Sequence, residues 1–372
     1  MKDPILIAGP SITEHEIKKV SEMMRDGWDS YQYVEEFEER FANYNSRKFC
    51  LMTPCCTHAI HLALMSLNVS LNDEIIVPEC TWTGSVAPVT YLNAIPVFAD
   101  ISKENWCIDP HSIIENITPK TKGVISVNLY GRMPDYKKIK EICKQNNLFL
   151  IEDAAESLGS TLKGRISGSF GTFSVHSFHR TKTITTGEGG ALLTDDVELY
   201  KRCKFLRDHG RSTEIPYFTL EATPKYMPSN LMGSLACAQL DRIEELISIK
   251  RNIRDSYIYE LEEVIENIDI IQDTPDYTNG CWATTLVVNK DSFRSKEAIE
   301  FFKSKNLPLR PFFYPLTSMP GYKKYKKRGD QYLNPNSNYL SSKGIMLPSH
   351  YNISKENIKI ISAALKEFIK NS

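Results

Sequence analysis

The sequence predicts an α/β fold in which helices surround a largely parallel sheet. Short β-rich runs alternate with amphipathic, helix-like runs through the first two hundred residues, a rhythm typical of strand–helix–strand units. The predicted strands cover residues 74–77, 95–98, 123–127, 148–151 and 191–193. The predicted helices between them cover residues 57–67, 83–92 and 135–146. Because ligands of such sheets bind at the carboxyl ends of the strands, we expect functional residues at that edge.

The second half of the chain predicts a smaller α+β lobe. An apolar pattern at helical spacing runs from Ser229 to about Glu263, interrupted only weakly by Gly233, and predicts one long helix that links two lobes. Beyond it, the patterns predict a strand over 284–288 and helices over 296–305 and 355–369. We therefore expect a large domain over residues 1–240 and a small C-terminal domain over residues 241–372.

Composition narrows the class of partner. The 372 residues include 45 Lys+Arg and 46 Asp+Glu, a formal net charge of −1, so no basic field favours nucleic acid and a small-molecule partner is expected. Nine cysteines, an odd number in a chain of this length, suit reduced thiols. The start lacks an apolar run of signal-peptide length, and no run reaches the ~18 apolar residues of a membrane span. We expect a soluble, cytoplasmic protein without a membrane partner.

Two neighbouring segments carry the residues best suited to chemistry. Asp153 follows the predicted strand at 148–151, and Lys182 lies in the next segment, 177–190. An aldehyde cofactor with a basic ring nitrogen needs an amine to bind the aldehyde and a carboxylate to pair with the nitrogen. The structural alternatives are an exposed loop lysine and an aspartate that caps the next turn.

Four motifs follow one another along the chain: Glu152-Asp153-Ala154-Ala155-Glu156, Gly168-Ser169-Phe170-Gly171, Lys182 with Thr186-Gly187-Glu188-Gly189-Gly190, and Ala238-Gln239-Leu240. In this order they resemble the DegT/DnrJ/StrS sugar aminotransferase family, and in particular its perosamine-synthase-like members. The resemblance covers nearly the whole chain. It implies the type I, aspartate-aminotransferase-like fold and the cofactor pyridoxal 5'-phosphate, with pyridoxamine 5'-phosphate as its amino form.

The resemblance implies two catalytic residues. Lys182 matches the lysine that binds the cofactor covalently and later moves a proton between substrate and cofactor carbons. Asp153 matches the acid that keeps the pyridine nitrogen protonated, so that the ring can accept electrons.

Five further residues are implied as cofactor contacts, each with a structural alternative. Glu156 matches a Gln or Glu that contacts the ring hydroxyl, or it is a capping-box acid. Cys56 and Thr57 lie where relatives bind the phosphate at a helix start; Cys56 replaces the usual glycine, and Thr57 is alternatively an N-cap. Ser177 matches another phosphate contact, or it is an ordinary loop serine. Trp82 matches an aromatic residue that stacks on the ring, or it is a core residue.

A segment before the predicted long helix implies a partner subunit. Lys225 stands where many relatives have an Asn that reaches the neighbouring subunit's cofactor phosphate, and a lysine can meet that phosphate as a cation. Met227 replaces an Arg of the same segment and so removes a fork-shaped donor. The resemblance implies a homodimer with shared active sites.

The substrate side departs more from relatives than the cofactor side does. The segment 310–315 resembles the one that faces the substrate in perosamine-synthase-like members, which implies Arg310 and Tyr314 as substrate contacts. Thr317 stands where such relatives often carry His. The basic cluster at 323–328 predicts either an anion-steering loop or, more commonly, a solvated one.

Metal and nucleotide-redox chemistry are disfavoured by spacing. Two adjacent cysteines, Cys55 and Cys56, are followed closely by His58 and His61, which does not match common structural-zinc spacings, so we expect no metal. The glycines at 187–190 do not follow the Gly-x-Gly-x-x-Gly pattern of dinucleotide loops.

The expected reaction moves an amino group from L-glutamate to a keto group, at C4 in a perosamine-synthase-like enzyme, of a nucleotide-linked deoxy-sugar. The product would serve polysaccharide or glycan biosynthesis. Two alternatives remain: an aminotransferase for a keto compound without a nucleotide, and a cofactor-bound regulatory relative without turnover. A related sugar 3-dehydratase is disfavoured, because those relatives carry His in place of Lys182.

Overall fold

The computed structural model of the chain describes residues 5–325 and 334–371. The helices in these ranges are α1 (Glu14–Asp26), α2 (Gln32–Tyr44), α3 (Cys56–Ser66), α4 (Ala87–Tyr91), α5 (Pro110–Glu115), α6 (Tyr136–Gln145), α7 (Val197–Leu206), α8 (Asn230–Asp241), α9 (Ile243–Glu260), α10 (Ser295–Ser304), α11 (Pro335–Lys343) and α12 (Lys355–Asn371). No helix in the described ranges is both long and apolar enough to cross a bilayer.

The central sheet has the strand order β1-β9-β8-β5-β4-β2-β3. Its strands are β1 (Phe49–Thr53), β2 (Glu74–Pro78), β3 (Ile95–Ala99), β4 (Thr121–Val127), β5 (Phe149–Asp153), β8 (Phe173–Ser177) and β9 (Gly190–Thr194). Only β9 runs antiparallel to its neighbours among the described strands of this sheet. All five predicted strands are confirmed to within two residues, because apolar runs bounded by turns suit strands buried on both faces.

Two helix predictions need correction. The predicted helix at 83–92 is a 3₁₀ turn, Thr83–Ser85, followed by the short α4, whose first turn contains Pro88. The single long helix expected from Ser229 to Glu263 was wrong, since it is α8 and α9 with a break at Arg242. Arg242 donates to Glu16 of α1 at 2.7 Å and to Glu245 of α9, and these bonds favour the turn over a continuous helix. Gly233 lies inside α8, where a Cβ atom would come within 2.5 Å of the backbone nitrogen of Val34.

A second, antiparallel sheet organises the C-terminal part of the chain. Its order is β10-β12-β14-β13, with strands β10 (Ile268–Ile270), β12 (Thr285–Val288), β13 (Arg310–Pro311) and β14 (Gly344–Met346). Its core includes residues of α9, α10 and α12, and Ile5 packs against the same core. The α+β character of this part is confirmed, and the boundary at 240/241 stays a prediction.

A small third sheet connects the two parts. It pairs β6 (Thr161–Leu162) and β7 (Arg165–Ile166) with β11 (Tyr277–Thr278). The segment after β11 then packs on the central part: Cβ atoms at Gly280 would come within 1.9 Å of the Leu158 carbonyl oxygen. Residues near 280 are thereby held against the carboxyl edge of the central sheet.

Candidate active site

Lys182 and Glu156 form a buried ion pair at the carboxyl edge of the central sheet. The Nζ atom of Lys182 lies 3.2 Å from Oε1 of Glu156, and the two side chains are 12% and 5% exposed. The other Glu156 oxygen accepts the backbone N–H of Tyr130 at 2.9 Å. Burial raises the pKa of Glu156, while the Lys182 charge acts to lower it. The geometry presents a primary amine beside a carboxylate that is satisfied on both oxygens.

Asp153 is the last residue of β5, and it is 3% exposed. Its carboxylate accepts the Ser85 hydroxyl at 2.7 Å and the Ala155 N–H at 3.0 Å. Burial raises the pKa of Asp153, and these two bonds and the Lys182 charge only partly oppose that effect. A carboxylate held this way is stabilised by any cation that approaches it. Sequence reasoning missed Ser85, although it lies only three residues after Trp82.

The start of α3 lies beside the ends of three strands. Thr53 ends β1 and Ser177 ends β8, and both pair in register with Gly190, which begins β9. A Cβ atom at Gly190 would come within 2.4 Å of the Cys56 backbone nitrogen. Glycine at 190 therefore lets β9 approach the first turn of α3. Cys55, Cys56, Thr57 and Ser177 are partly buried there.

This helix start suits a phosphate group. Backbone N–H groups of a first helical turn point along the axis toward an anion, and the hydroxyls of Thr57 and Ser177 are additional donors at the same edge. Burial and the charge of Asp153 raise the pKa of the Cys56 thiol, and the charge of Lys182 opposes that shift. The structure thus brings together the predicted residues Cys56, Thr57 and Ser177.

Trp82 lies on the open side of the site. A Cβ atom at Gly84 would lie 3.0 Å from the Thr57 hydroxyl and 3.1 Å from the Trp82 ring, so Gly84 separates these two side chains. Trp82 is 60% exposed, and its ring centroid is 6.2 Å from that of Phe313. The core alternative for Trp82 is therefore wrong, and a flat apolar face remains available to a ring.

His58 and His61 contact tyrosines. The His58 ring stacks on Tyr226 with centroids 4.0 Å apart, and Nδ1 of His61 lies 2.9 Å from the Tyr226 hydroxyl. Within residues 5–325 and 334–371, no group of three or more His, Cys, Asp or Glu side chains is arranged to hold a metal ion. All nine cysteines are free.

Lys225 does not join the other site residues within this one chain. Its amine forms an ion pair with Asp208, and its side chain is 43% exposed. The neighbouring Tyr226 packs on His58 of α3, so this segment lies beside the first turn of α3. The predicted role of Lys225 in a partner's site stays a prediction.

The segment 310–317 covers the site from the C-terminal side. Tyr130 accepts the Phe313 backbone N–H at 3.1 Å, and the two rings stack at 5.3 Å. Tyr314 is 54% exposed and Arg310 is exposed. Thr317 donates its hydroxyl to Glu79 at 2.6 Å. The Thr317 hydroxyl therefore attaches this segment to the central part of the chain. Of the basic cluster, Lys326, Lys327 and Arg328 lie outside the described residues.

The donor set fits pyridoxal phosphate. The start of α3 with Thr57 and Ser177 suits the phosphate, Asp153 suits a protonated ring nitrogen, and Lys182 is an amine within reach of the same edge. Asp153 gives the specific test, because its buried carboxylate has a raised pKa in the protein alone and a pyridinium would supply the missing cation.

Comparison with known proteins agrees with this geometry. The chain matches the DegT/DnrJ/EryC1/StrS aminotransferase family over residues 10–366. It is 35% identical over 362 residues to the GDP-perosamine synthase of Escherichia coli O157:H7, which covers 96% of this chain and 97% of that protein. The GDP-perosamine synthase of Vibrio cholerae is 30% identical with the same coverage.

Solved structures show the same fold. A protein assigned as a sugar aminotransferase of Streptococcus pneumoniae, in its pyridoxal-phosphate form, superposes with a TM-score of 0.92 at 28% identity and covers 99% of both chains. Its pyridoxamine-phosphate form superposes with a TM-score of 0.91. The predicted fold class and cofactor are confirmed. The chain therefore belongs to the DegT/DnrJ/EryC1/StrS aminotransferase family and is an aminotransferase that depends on pyridoxal 5'-phosphate.

Proposed function

We propose that this enzyme transfers an amino group from L-glutamate to the C4 keto group of a nucleotide-linked deoxy-sugar, for polysaccharide or glycan biosynthesis. The observation that carries the chemistry is the placement of the Lys182 amine, the Glu156 carboxylate and the buried Asp153 at one sheet edge. The choice of substrate rests on the two GDP-perosamine synthases, each aligned over nearly its whole length.

Each site residue has a distinct task in this proposal. The cofactor, when bound, supplies an electron-accepting ring that stabilises negative charge at the substrate carbon. Lys182 holds the cofactor and then carries a proton at Nζ to and from that carbon. Asp153 keeps the ring nitrogen protonated, Glu156 orients the ring hydroxyl and the lysine amine, and Trp82 fixes the ring plane.

The substrate side is assigned to the 310–314 segment. Arg310 is a planar, permanent cation that can bind two oxygens of a diphosphate at once, and it is exposed at the end of a strand of the small sheet. Tyr314 is exposed four residues further on, so a sugar between them would meet both a cation and a hydroxyl. We propose both as substrate contacts.

Phosphate binding can be tested through two hydroxyls. We expect Ser177→Ala and Thr57→Val each to raise the Kd of the cofactor about 10- to 150-fold, because each removes one hydrogen bond to a charged group, worth roughly 1.5–3 kcal/mol. Equilibrium dialysis or fluorescence titration of the cofactor-free protein measures this. Ser66→Ala is the matched control, since Ser66 lies at the far end of α3, where its hydroxyl donates to the Ala63 carbonyl; equal losses in all three variants would contradict the assignment.

The proposed active unit is a cytoplasmic homodimer in which Lys225 reaches the partner's phosphate site. The loop before Lys225 supports this, because Ile215, Tyr217 and Leu220 are more than half exposed, which is unusual for a monomer surface. We expect Lys182→Ala and Lys225→Ala chains to be inactive or impaired separately and to regain activity when mixed. In a mixed dimer one site has both native lysines. Absence of recovery, with mixed dimers verified by mass spectrometry, would place Lys225 outside the partner's site.

The substrate proposal is tested in two steps. First, L-glutamate is added to the purified enzyme, and the cofactor absorbance is followed; an unchanged spectrum would count against glutamate and favour either another donor or a relative without turnover. Second, the amino form is offered a panel of nucleotide-linked 4-keto and 3-keto sugars and matched keto compounds without a nucleotide. We expect mass spectrometry to find amination of a nucleotide-linked 4-keto sugar. A product only from 3-keto sugars would show that C3 and not C4 is aminated. A product only from keto compounds without a nucleotide would show that the substrate carries no nucleotide.

A further inference from the structure

The backbone on both sides of Lys182 is held by aromatic side chains from the C-terminal part of the chain. The indole N–H of Trp282 donates to the carbonyl oxygen of Thr181 at 2.7 Å. The hydroxyl of Tyr351 donates to the carbonyl oxygen of Thr183 at 2.6 Å. The two carbonyls therefore flank the lysine. The donor to Thr181 lies about 100 positions further along the chain, and the donor to Thr183 lies 168 positions further along.

Trp282 also contacts the lysine amine itself. The Nζ atom of Lys182 lies 3.7 Å from the centroid of the Trp282 ring, within the range of a cation–π contact. Trp282 is 5% exposed, and its ring stacks parallel to that of Tyr130 with centroids 6.1 Å apart. The backbone N–H of Tyr130 in turn bonds Glu156, the ion partner of Lys182. The amine thus lies between a carboxylate and an aromatic face, both anchored through Tyr130.

Tyr351 is fixed in a similar way. The amine of Lys250, in α9, lies 4.2 Å from the Tyr351 ring centroid and donates to the Ser349 carbonyl at 2.6 Å. Lys250 is 1% exposed, so this contact is buried. The contact with Lys250 of α9 therefore helps to hold the Tyr351 hydroxyl toward Thr183.

We propose that Trp282 and Tyr351 are positioning residues that hold the Lys182 backbone and direct its amine for transfer chemistry. The proposal rests on the proposed role of Lys182. Small errors in position matter because a misplacement of about 1 Å can lower a rate about a hundredfold. The bonds of Trp282 to Thr181 and of Tyr351 to Thr183 are called the clamp below. The clamp makes the C-terminal part necessary for catalysis independently of any contact with the substrate.

Backbone hydrogen exchange tests the clamp without relying on turnover. The loop amides of Lys182 and Arg180 bond the carbonyls of His179 and Gly187 at 2.8 and 2.7 Å, and these bonds should open more often when a clamp bond is lost. We expect Trp282→Phe, which keeps a ring face, and Tyr351→Phe, which keeps the ring over Lys250, each to speed exchange in peptides covering 179–187 about fivefold, as for a lost bond of roughly 1 kcal/mol. The measurement is made on the purified enzyme with and without bound cofactor.

Tyr257→Phe is the matched control. Tyr257 is fully buried, and its hydroxyl also donates to a backbone carbonyl of the C-terminal part, that of Pro348 at 2.9 Å. We expect this variant to leave exchange at 179–187 within twofold of the native protein. In the clamp variants we also expect kcat to fall about tenfold with the KM for the amino donor within twofold, since the binding groups remain.

Unchanged exchange at 179–187 in both clamp variants would overturn the proposal, as would equal changes in Tyr257→Phe. These outcomes are separate from the role of Lys182 itself. Borohydride reduction followed by peptide mapping decides that role, and a label at Lys182 with unaltered exchange would reject only the clamp.

Discussion

Replacing Lys182 by alanine is expected to lower kcat by at least about 10⁴-fold, the upper range of what a positioned general acid or base contributes. The expected loss is large because, in the proposed mechanism, the same amine both holds the cofactor and moves the proton. Single-turnover measurements with saturating cofactor and amino donor check the rate. Borohydride reduction of the native enzyme should label Lys182, and no label should appear in the variant.

Lys201→Ala is the control for this experiment. Lys201 is an exposed lysine of α7, paired with Glu198 at 2.8 Å, and its removal should alter neither labelling nor rate. A native enzyme that is labelled at another lysine, or a Lys182→Ala variant with native turnover, would contradict the assignment of the site.

Asp153→Asn is expected to reduce kcat about 10²–10³-fold, in the range seen when one preorganised electrostatic group is removed, while leaving the cofactor-free protein equally or more stable. The ring nitrogen would lose the carboxylate that keeps it protonated. Without cofactor, however, the native carboxylate is a buried charge with a raised pKa, and an amide of the same shape avoids that cost. The amide oxygen can still accept the Ala155 N–H, and its NH2 group can donate to the Ser85 oxygen, which also acts as an acceptor. Stopped-flow absorbance measures the rate, and chemical denaturation of the cofactor-free protein measures the free energy of unfolding.

The adjacent carboxylate gives the opposite expectation. Glu152 accepts the backbone N–H groups of Gly168 and Phe170 at 2.8 and 2.7 Å and the Ser174 hydroxyl at 2.8 Å. An amide can accept at only one of its two ends, so Glu152→Gln should lower the free energy of unfolding by about 1–3 kcal/mol. If Asp153→Asn proved the more destabilising of the two, the assignment of Asp153 as a functional charge would fail.

The buried carboxylates of Asp153 and Glu156 predict that the stability of the protein depends on pH. Burial raises the folded-state pKa values of Asp153 and Glu156 above those of the unfolded chain. Their contribution to stability is therefore fully present below the unfolded carboxyl range and is lost as the pH rises through the folded values. We expect the stability advantage of cofactor-free Asp153→Asn over native protein to grow between pH 4 and pH 8, as recorded by thermal melts; a constant or shrinking difference would contradict this.

Local patterns in the sequence predicted the central fold well. The runs at 74–77 and 123–127 correctly predicted β2 and β4, because each is an apolar segment between turns. Strands that are buried on both faces are apolar at nearly every position, so the local sequence is enough to identify them. The break at Arg242 was missed, since its cause is an ion pair with Glu16, more than two hundred residues away. Helical spacing continues across Arg242 and gives no local sign of the turn.

The site divides in the same way. Lys182 and Asp153 could be found because each sits in a motif beside a strand, and Trp82 could be named but its exposure could not. Trp282 and Tyr351 gave no signal. A lone aromatic residue is most often part of a core, and its contact with Thr181 or Thr183 exists only after two distant parts of the chain meet.

The packing of Ile5 on the same core as α12 has a consequence for synthesis. The backbone N–H of Ser349 also bonds the Ile7 carbonyl at 2.7 Å. Ile5 and Ile7 can therefore make these contacts only after Ser349 and α12 have been translated. Before α12 has been translated, the strands of the central sheet are already made, but the antiparallel core lacks this helix. The enzyme should therefore acquire its fold in two stages, the central sheet first and the antiparallel core only after α12 has left the ribosome.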